Sequence, residues 1–294
     1  MAHPLRIVDV FAEEQLAGNP LAVVLEADDL TPDAMQRIAQ EMNFSETTFV
    51  SSAADRTGAW PVRIFTPASE LPFAGHPTLG TAFVIRELIA GPVEQVDLAL
   101  AVGTIPVTFE PEPGGHEVAW LRAPEVALGP LVAVDTVAAA LGLVPGDVAP
   151  EVPPRQLAAG PVFVFVRISG QAALCRARLD AGLLARLVPG ASPDGIYLFC
   201  SETVGGGVDL AARLLFDAGG LREDPATGSA TAMLGAYLRE HVYPSGEAFS
   251  LRIEQGVAMG RSSLLRLVVR ERGEAGSEIR VGGRVFPVVR GELL

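Results

Sequence analysis

Two helical segments without charged residues constrain the fold of this chain more than any other feature of its sequence. Residues 76–89 carry no charge from position 77 through position 85, and residues 225–238 carry none at all. A helix that is apolar on every side has to be buried on every side. Because the rest of the chain is rich in strand patterns, we expect each segment to be a central helix with a sheet curled around it.

Short strands dominate the remaining sequence. Runs of β-branched and aromatic residues bounded by glycine and proline predict them. The predicted strands are 5–11, 20–25, 46–51, 62–65, 94–100, 105–109 and 117–121, then 162–168, 196–200, 208–215, 248–253, 264–269 and 285–289. Further helices are predicted at 31–42, 136–141 and 180–187, the first with Thr31 as its N-cap and Pro32 in its first turn.

An internal repeat links the two halves. The two uncharged segments begin with similar heptapeptides, HPTLGTA at residues 76–82 and DPATGSA at residues 224–230, so that His76 aligns with Asp224. Further pairs follow in the same order along the chain: Pro20 with Pro161, Glu46 with Asp194, Phe49 with Tyr197 and Gly103 with Gly256. Four matches in one order favour a duplication, and the competing interpretation is chance similarity between strand-rich segments.

The duplication predicts an α+β fold of two pseudo-symmetric domains, each a curved, mostly antiparallel sheet wrapped around a central helix. Residues 123–154 are rich in proline, glycine and alanine and form the best candidate junction. We therefore expect domains at 1–124 and 125–294, with the last strand returning to the first domain. Duplicated domains usually face each other across a cleft, where pockets form preferentially.

The repeated motif also predicts how each central helix begins. His76 and Asp224 are expected as N-caps, each followed by a proline at the first helical position. Gly80 and Gly228, with small neighbours, allow other groups to approach the first turn, where backbone N–H groups favour an anion. Two such turns facing the cleft are able to hold a carboxylate or an enolate. The competing interpretation is that Asp224 only caps a helix and the glycines only permit tight packing.

The charge of the chain excludes several classes of function. The 294 residues contain no lysine and carry a formal net charge of −13. The absence of lysine excludes Schiff-base catalysis on pyridoxal phosphate and the lysine of the P-loop. An acidic surface repels phosphate groups, so we expect neither nucleic acid nor an anionic membrane as a partner.

The number of cysteines and the lengths of the apolar segments indicate where the protein is located and which cofactors it lacks. Cys175 and Cys200 are too few for a disulfide framework or a cysteine-rich zinc site, and we expect both to be buried apolar residues. Residues 1–10 lack the apolar core of a signal peptide, and uncharged runs such as 225–238 are shorter than the ~20 residues of a membrane helix. We expect a cytoplasmic protein without a metal or an organic cofactor.

Five motifs resemble those of the phenazine-biosynthesis PhzF-like family. GNPLAV at residues 18–23 and NFSETTFV at residues 43–50 resemble its GNPLAVV and NxSETTFV segments. IFTP at residues 64–67, followed by ELPFAGHPTLG at residues 70–80, resembles FTPxxELPFAGHPTLG. EDPATGSA at residues 223–230 and QGVAMGR at residues 255–261 resemble EDPATGSA and QGxxMGR. The matches lie in the expected order over most of the chain.

The resemblance implies a diaminopimelate-epimerase-like fold and cofactor-free isomerase chemistry at the domain interface, commonly in a homodimer. The acid/base glutamate of the family corresponds to Glu46, and its other active-site residues correspond to His76, Asp224 and Ser229. Related epimerases of this fold carry a cysteine pair at the two helix N-termini. His76 and Asp224 stand there in this chain, so we do not expect a thiol mechanism.

These residues suggest a mechanism of proton transfer on carbon. Glu46 is the candidate shuttle, since a desolvated carboxylate is a stronger base. His76 is expected to hold or protonate a substrate oxygen, and Asp224 to bind an amino group or act as a second acid/base. Ser229 and Gly228 are expected to bind a substrate carboxylate, and the candidate binding set further comprises Ser45, Gly75 and Gly80.

Three functions remain open at this point. The first is an isomerase or epimerase acting on a small carboxylated metabolite. The second is a two-base epimerase of an amino or hydroxy acid that uses Glu46 and Asp224. The third is a catalytically silent metabolite-binding protein on the same scaffold. Without the family pattern, Glu46 would be interpreted as a solvated strand residue and His76 as a capping residue.

Overall fold

The computed structural model describes residues 2–88, 92–190, 192–203, 206–217, 220–244, 246–271 and 276–294. The chain divides into two units. Unit 1 comprises Met1–Arg122 and Gly282–Leu294, and unit 2 comprises Ala123–Val281. The final segment of the chain therefore belongs with the N-terminal unit.

Unit 1 begins with eight strands and two helices. In chain order they are β1 (His3–Val10), β2 (Asn19–Val24), α1 (Pro32–Met42), β3 (Thr47–Val50), β4 (Trp60–Phe65), β5 (Glu70–Leu71), α2 (Gly75–Leu88), β6 (Gln95–Leu100), β7 (Gly103–Glu112) and β8 (His116–Arg122). Thr31 is the N-cap of α1, as predicted, and its hydroxyl accepts a hydrogen bond from the N–H of Ala34.

Among the described residues, the next nine strands and four α-helices lie in unit 2, except for the last two residues of the ninth strand, which belong to unit 1. They are β9 (Ala127–Leu131), α3 (Val134–Ala140), β10 (Arg155–Ala158), β11 (Val162–Arg167), α4 (Gln171–Arg176), α5 (Ala181–Leu184), β12 (Gly195–Cys200), β13 (Leu210–Asp217), β14 (Leu221–Asp224), α6 (Gly228–His241), β15 (Phe249–Gln255), β16 (Ser263–Glu271) and β17 (Ser277–Gly283). The predicted helix at 180–187 is shorter, and α4 was not predicted. The last strand of the chain, β18 (Val285–Leu293), pairs antiparallel with β1 in unit 1.

The strands of the two units pair in the same succession. In unit 1, β1 and β2 are antiparallel, β2 and β3 parallel, β3 and β4 antiparallel, and β4 pairs antiparallel with β5 and parallel with β6. In unit 2, β10 and β11 are antiparallel, β11 and β12 parallel, β12 and β13 antiparallel, and β13 pairs antiparallel with β14 and parallel with β15. This repeated succession is the α+β architecture that the sequence repeat predicted.

Each unit has a central helix. In α2 ten residues are buried and in α6 nine are buried, in agreement with the absence of charge on both segments. The strands β1, β2, β3, β6, β7 and β8 pack against α2, and β10, β11 and β16 pack against α6. The end predicted for the first helix, Ile89, lies outside the described residues.

A glycine sets how closely α2 approaches its sheet. A Cβ atom at Gly80 would lie 2.6 Å from Cδ2 of Leu21 and 2.8 Å from Cγ2 of Val10. Such separations do not occur between packed carbon atoms, so the helix backbone reaches β1 and β2 only because position 80 has no side chain. Among the described residues, no helix has both the length and the apolar character needed to cross a membrane.

Candidate active site

Glu46 is the residue immediately before β3. The preceding turn is made by Asn43, which ends α1 in the left-handed conformation at φ 53°. The side chain of Glu46 is only 15% exposed. The structure therefore places a largely buried carboxylate at the position that, without the family pattern, would be interpreted as a solvated strand residue.

The carboxylate of Glu46 lies against the imidazole of His76. Oε2 of Glu46 is 3.5 Å from Nε2 of His76, and the histidine side chain is 6% exposed. On the other side of the ring, the side-chain nitrogen of Asn19 lies 3.4 Å from Nδ1 of His76. Three side chains from separate parts of unit 1 thus meet at one buried point, and two of them were predicted site residues.

This arrangement defines the protonation state of His76. Burial lowers the pKa of His76 to about 3, so the ring is neutral near pH 7. An amide NH₂ group only donates, so Nδ1 is the acceptor for Asn19. In a neutral ring the proton then resides on Nε2, which faces Glu46. His76 therefore directs its Nε2–H toward Oε2 of Glu46, 3.5 Å away, and this pair of atoms does not have the geometry of a hydrogen bond.

Hydroxyl contacts fix the helix that carries His76. The hydroxyl of Thr81 on α2 lies 2.8 Å from the hydroxyl of Thr48 on β3, the strand that begins beside Glu46. The hydroxyl of Thr78 donates to the carbonyl of Ala74 over 2.7 Å, at the N-terminal end of α2. Because the Thr48 and Thr81 hydroxyls are buried, their hydrogen bond links α2 to β3, whereas the Thr78 hydrogen bond is local to the start of the helix.

The N-cap assignments for the two central helices were wrong. Helix α2 begins at Gly75, so His76 is its second residue rather than its cap. Helix α6 begins at Gly228 with Thr227 as its N-cap, and Asp224 is the last residue of strand β14. Ladder pairing extends through Asp224, which lies opposite Leu214 of β13, so this residue is held in extended conformation and not at a helix end.

The side chain of Asp224 belongs to a buried polar network. Thr227 Oγ1 donates to Asp224 Oδ2 over 2.6 Å. Gln255 Nε2 donates to the backbone carbonyl of Asp224 over 2.8 Å and to Thr227 Oγ1 over 2.9 Å. Gln255 Oε1 accepts from the backbone N–H of Thr227 over 3.3 Å. Thr227 and Gln255 are buried, whereas Asp224 is partly exposed.

Sequence reasoning missed Thr227 and Gln255. Both lie inside motifs that carried the family resemblance, EDPATGSA and QGVAMGR. The amide of Gln255, at the end of an apolar strand, is a signal that could have identified this network. A polar side chain in such a buried position needs hydrogen-bond partners.

The structure also revises the alignment of the two halves. The first residues of the central helices are Gly75 and Gly228, and the short strands before them end at Leu71 and Asp224. Asp224 therefore corresponds to Leu71, and His76 corresponds to Ser229. With this alignment, identical residues occupy six pairs of positions between 70 and 88: Glu70 and Glu223, Pro72 and Pro225, Gly75 and Gly228, Thr78 and Thr231, Arg86 and Arg239, and Glu87 and Glu240.

Equivalent hydrogen bonds support the revised alignment. Thr78 Oγ1 donates to the carbonyl four residues earlier in α2, and Thr231 Oγ1 does the same in α6 over 3.1 Å. The strands before the helices also match, since Arg63 of β4 pairs with the glutamate of β5 and Arg213 of β13 with that of β14. The predicted pair Gly103 and Gly256 fits this alignment, whereas His76 with Asp224 does not.

The other predicted binding residues occupy varied environments. Gly75 and Gly228 are buried at the starts of their helices, Ser229 is partly exposed, and Ser45 is exposed. Their roles in substrate binding stay predictions, as does the prediction that Glu46 and Asp224 face one cleft.

The two cysteines differ from each other. Cys200 is buried, as predicted, and burial raises its thiol pKa to about 11. The prediction for Cys175 was wrong, because this residue is exposed on α4. Among the described residues, no three histidine, cysteine, aspartate or glutamate side chains are grouped as metal ligands would be.

Comparison with known proteins places the chain among the isomerases. It is 36% identical over 282 residues to trans-2,3-dihydro-3-hydroxyanthranilate isomerase of Pseudomonas aeruginosa, covering 96% of this chain and 95% of the relative. It is 36% identical over 303 residues to an uncharacterized isomerase of Mesorhizobium japonicum, covering 98% and 97%. Like these relatives, the chain is an isomerase.

The family model described as "Phenazine biosynthesis-like protein" matches residues 8–291. The chain therefore belongs to the phenazine biosynthesis-like family. A crystal structure of a PhzF-family phenazine biosynthesis protein from Bacillus anthracis has a TM-score of 0.92 to this chain at 25% identity, covering 100% of this chain and 99% of that one. The family and fold that the sequence motifs indicated are thus confirmed.

Proposed function

We propose that the protein is a cofactor-independent isomerase that moves a proton between carbon atoms of a small carboxylated metabolite, with Glu46 as the acid/base group. The observation that carries this proposal is the buried contact between Glu46 and His76. A carboxylate that is largely removed from water is a better match in basicity to a carbon acid than a solvated one.

The neutral state of His76 supports this role for Glu46. With Nδ1 accepting from Asn19, the Nε2 proton points to the site where a substrate oxygen or the Glu46 carboxylate would accept it. A neutral imidazole that donates a hydrogen bond stabilises negative charge developing on oxygen without first losing its proton to solvent. His76 thereby acts as an electrophile beside the base rather than as the base.

The start of α6 supports a role in holding the substrate carboxylate. Thr227 occupies the N-cap position of this helix, yet its side chain makes no capping hydrogen bond. The first-turn N–H groups near Gly228 and Ser229 are consequently not satisfied by the cap side chain, and the helix dipole favours an anion there. Both residues belong to the predicted binding set.

The experiment is an exchange measurement in deuterated water. Trans-2,3-dihydro-3-hydroxyanthranilate, which the name of the Pseudomonas aeruginosa relative specifies, is the first compound, followed by a panel of amino and hydroxy acids. NMR follows the incorporation of deuterium at carbon. With a compound that exchanges, Glu46→Gln should lower the exchange rate at least ~100-fold, the lower range for loss of an acid/base group.

A matched control is Glu41→Gln, which alters an exposed carboxylate on α1 five positions earlier. It should leave exchange at the level of the unmodified protein. Near-normal exchange in Glu46→Gln would contradict the proposed mechanism.

The two alternatives give distinct results in the same assay. A two-base epimerase predicts that Asp224→Asn stops exchange starting from one enantiomer of an amino or hydroxy acid while Glu46→Gln stops it from the other. Saturable binding of a carboxylate without exchange of any C–H proton would favour the catalytically silent binding protein. Dialysis against a chelator should leave exchange unchanged if the reaction needs no metal.

A further inference from the structure

In the polar network around Asp224, each hydrogen bond has a defined donor and a defined acceptor. Gln255 has one amide oxygen and one amide nitrogen, and the oxygen is used by the backbone N–H of Thr227. Its nitrogen therefore donates to Thr227 Oγ1, which accepts this hydrogen bond. The hydroxyl proton of Thr227 then remains for the one acceptor within 2.6 Å, Oδ2 of Asp224. A chain of donors thus ends on a carboxylate that only accepts.

The hydroxyl of Thr227 contacts Asp224 and does not cap helix α6, which is the usual role of a threonine in this position. A threonine at an N-cap usually accepts a hydrogen bond from an N–H group in the first turn, and this bond stabilises the helix. Thr31 caps α1 in this way. Thr227 makes no capping bond to α6, although it occupies the same position. Helix formation therefore does not explain the orientation of the Thr227 hydroxyl.

The shared fold does not require the network either. The strand of unit 1 that corresponds to β15 is β6, which ends at the buried, apolar Leu100 and turns directly into β7 at Gly103. A Cβ atom at Gly103 would meet nothing within 4 Å. In unit 2 the equivalent strand ends at the fully buried Gln255, and seven residues, 256–262, precede β16.

The longer turn of unit 2 clamps the segment that follows Asp224. Gly256 has a positive φ of 75°, and a Cβ atom there would lie 2.6 Å from the carbonyl oxygen of Pro225 and 2.4 Å from that of Arg261. Only glycine allows this approach. The turn that begins at Gly256 thus packs directly against the backbone of Pro225, which follows Asp224. Gln255 at the same time donates a hydrogen bond to the backbone carbonyl of Asp224.

We propose that Gln255 is a positioning residue that, through the hydroxyl of Thr227, orients Asp224 and keeps it an ionised hydrogen-bond acceptor. This inference rests on the proposed function in giving Asp224 a role at the active site. The proposal limits the role of Asp224 at that site. An ionised Asp224 binds a substrate cation or receives a proton, and it does not enter the reaction as the proton donor.

Other charges near this segment do not change between the variants used below. On β14 Glu223 is paired with Arg213 of β13, at 2.7 Å. Glu254 precedes Gln255 on β15, Arg266 lies buried on β16, and the carbonyl of Arg261 contacts the Gly256 turn. All of them remain in place when Thr227 or Gln255 is replaced by a neutral residue, so a difference between variants reports the hydrogen bonds.

The test is a titration of Asp224 that needs no substrate. In the full-length protein labelled with 13C at the aspartate side-chain carboxyl carbon, the Asp224 resonance is the one missing from Asp224→Asn. Thr227→Val removes the donor and should raise the titration midpoint by about one pH unit, the effect of losing one hydrogen bond to the charged form. Gln255→Met should raise it as well, and Thr227→Ser, which keeps the hydroxyl, should restore the original midpoint.

An exposed pair in unit 1 calibrates the measurement. Thr57 Oγ1 donates to Asp55 Oδ1 over 2.6 Å, and this hydrogen bond lowers the pKa of Asp55. Thr57→Val should therefore raise the midpoint of Asp55 and leave that of Asp224 unchanged.

Two results would overturn the proposal. An unchanged Asp224 midpoint in Thr227→Val would show that the hydroxyl does not stabilise the carboxylate. A shift in Thr227→Val without one in Gln255→Met would remove Gln255 from the role. If Gln255→Met does not fold, Gln255→Asn, whose side chain is one methylene too short for these contacts, replaces it. Because no turnover is measured, failure here is distinct from failure of the Glu46 exchange assay.

Discussion

The buried His76 should make unit 1 sensitive to acid. Burial lowers the pKa of His76 from 6.5 to about 3. In the unfolded chain the same imidazole is solvated and takes up a proton near pH 6.5. Below that value only the unfolded state gains from protonation, so stability should fall with decreasing pH until the folded state also titrates near pH 3.

The magnitude follows from the two pKa values. At pH 7.5 protonation of the unfolded chain contributes close to zero, and at pH 5.0 it stabilises that chain by about 2 kcal/mol. The free energy of unfolding should therefore drop by about 2 kcal/mol from this one residue between the two pH values. His76→Gln, which has no proton to gain, should lose about that much less stability over the same interval.

Tryptophan fluorescence during urea unfolding is the appropriate measurement. Both tryptophans, Trp60 and Trp120, lie in unit 1 together with His76, so the signal reports on the relevant unit. The comparison uses the pH-dependent change within each protein, which removes any constant cost of the substitution. His116→Gln is the control, because His116 is exposed on β8 and is hydrated whether the chain is folded or not.

The reasoning would be refuted by equal losses of stability in the unmodified protein and His76→Gln between pH 7.5 and pH 5.0. That result would mean that the folded protein accommodates the imidazolium, and the neutral, donating His76 in the proposed mechanism would have to be abandoned.

Three further predictions concern packing, ion pairs and thiols. Gly80→Ala should lower the free energy of unfolding by about 1–3 kcal/mol through overpacking, whereas Gly146→Ala, which meets nothing within 4 Å, should change it little, as chemical denaturation would show. Arg213→Met should cost about 3–5 kcal/mol because it leaves a buried carboxylate unpaired, while Arg63→Met breaks an equivalent but exposed pair and should cost about 0–1 kcal/mol in the same assay. Exchange activity should survive treatment with iodoacetamide, because the proposed mechanism uses neither Cys175 nor Cys200. Burial raises the pKa of Cys200 to about 11 and keeps it as the unreactive thiol. Loss of activity with an intact circular dichroism spectrum would contradict the thiol-free mechanism.

Patterns within short stretches of sequence were sufficient to predict the fold class. The absence of charge over 77–85 and 225–238 required two buried helices, because no local arrangement hides an apolar surface on all sides of a helix. The repeated motifs indicated that both halves share one plan, and they identified the family. The residues Glu46 and His76 followed from those motifs, although their contact did not, since it joins positions that lie far apart in the chain.

Tertiary structure decided where the second central helix begins and what surrounds Asp224. The sequence DPATG has the pattern of a cap followed by proline, and this local preference alone predicts a helix from Pro225. Pairing of β14 with β13 extends the strand to Asp224, and the amide of Gln255 ties the segment up to Thr227 through hydrogen bonds across 28 to 31 positions. Such contacts depend on which strands become neighbours, and they outweigh the small free-energy preferences that a local sequence carries. The local absence of charge was therefore enough to determine that each half has a buried helix. Which residue of each half lies in the first turn of that helix depends on contacts between distant strands, so only the folded chain determined it.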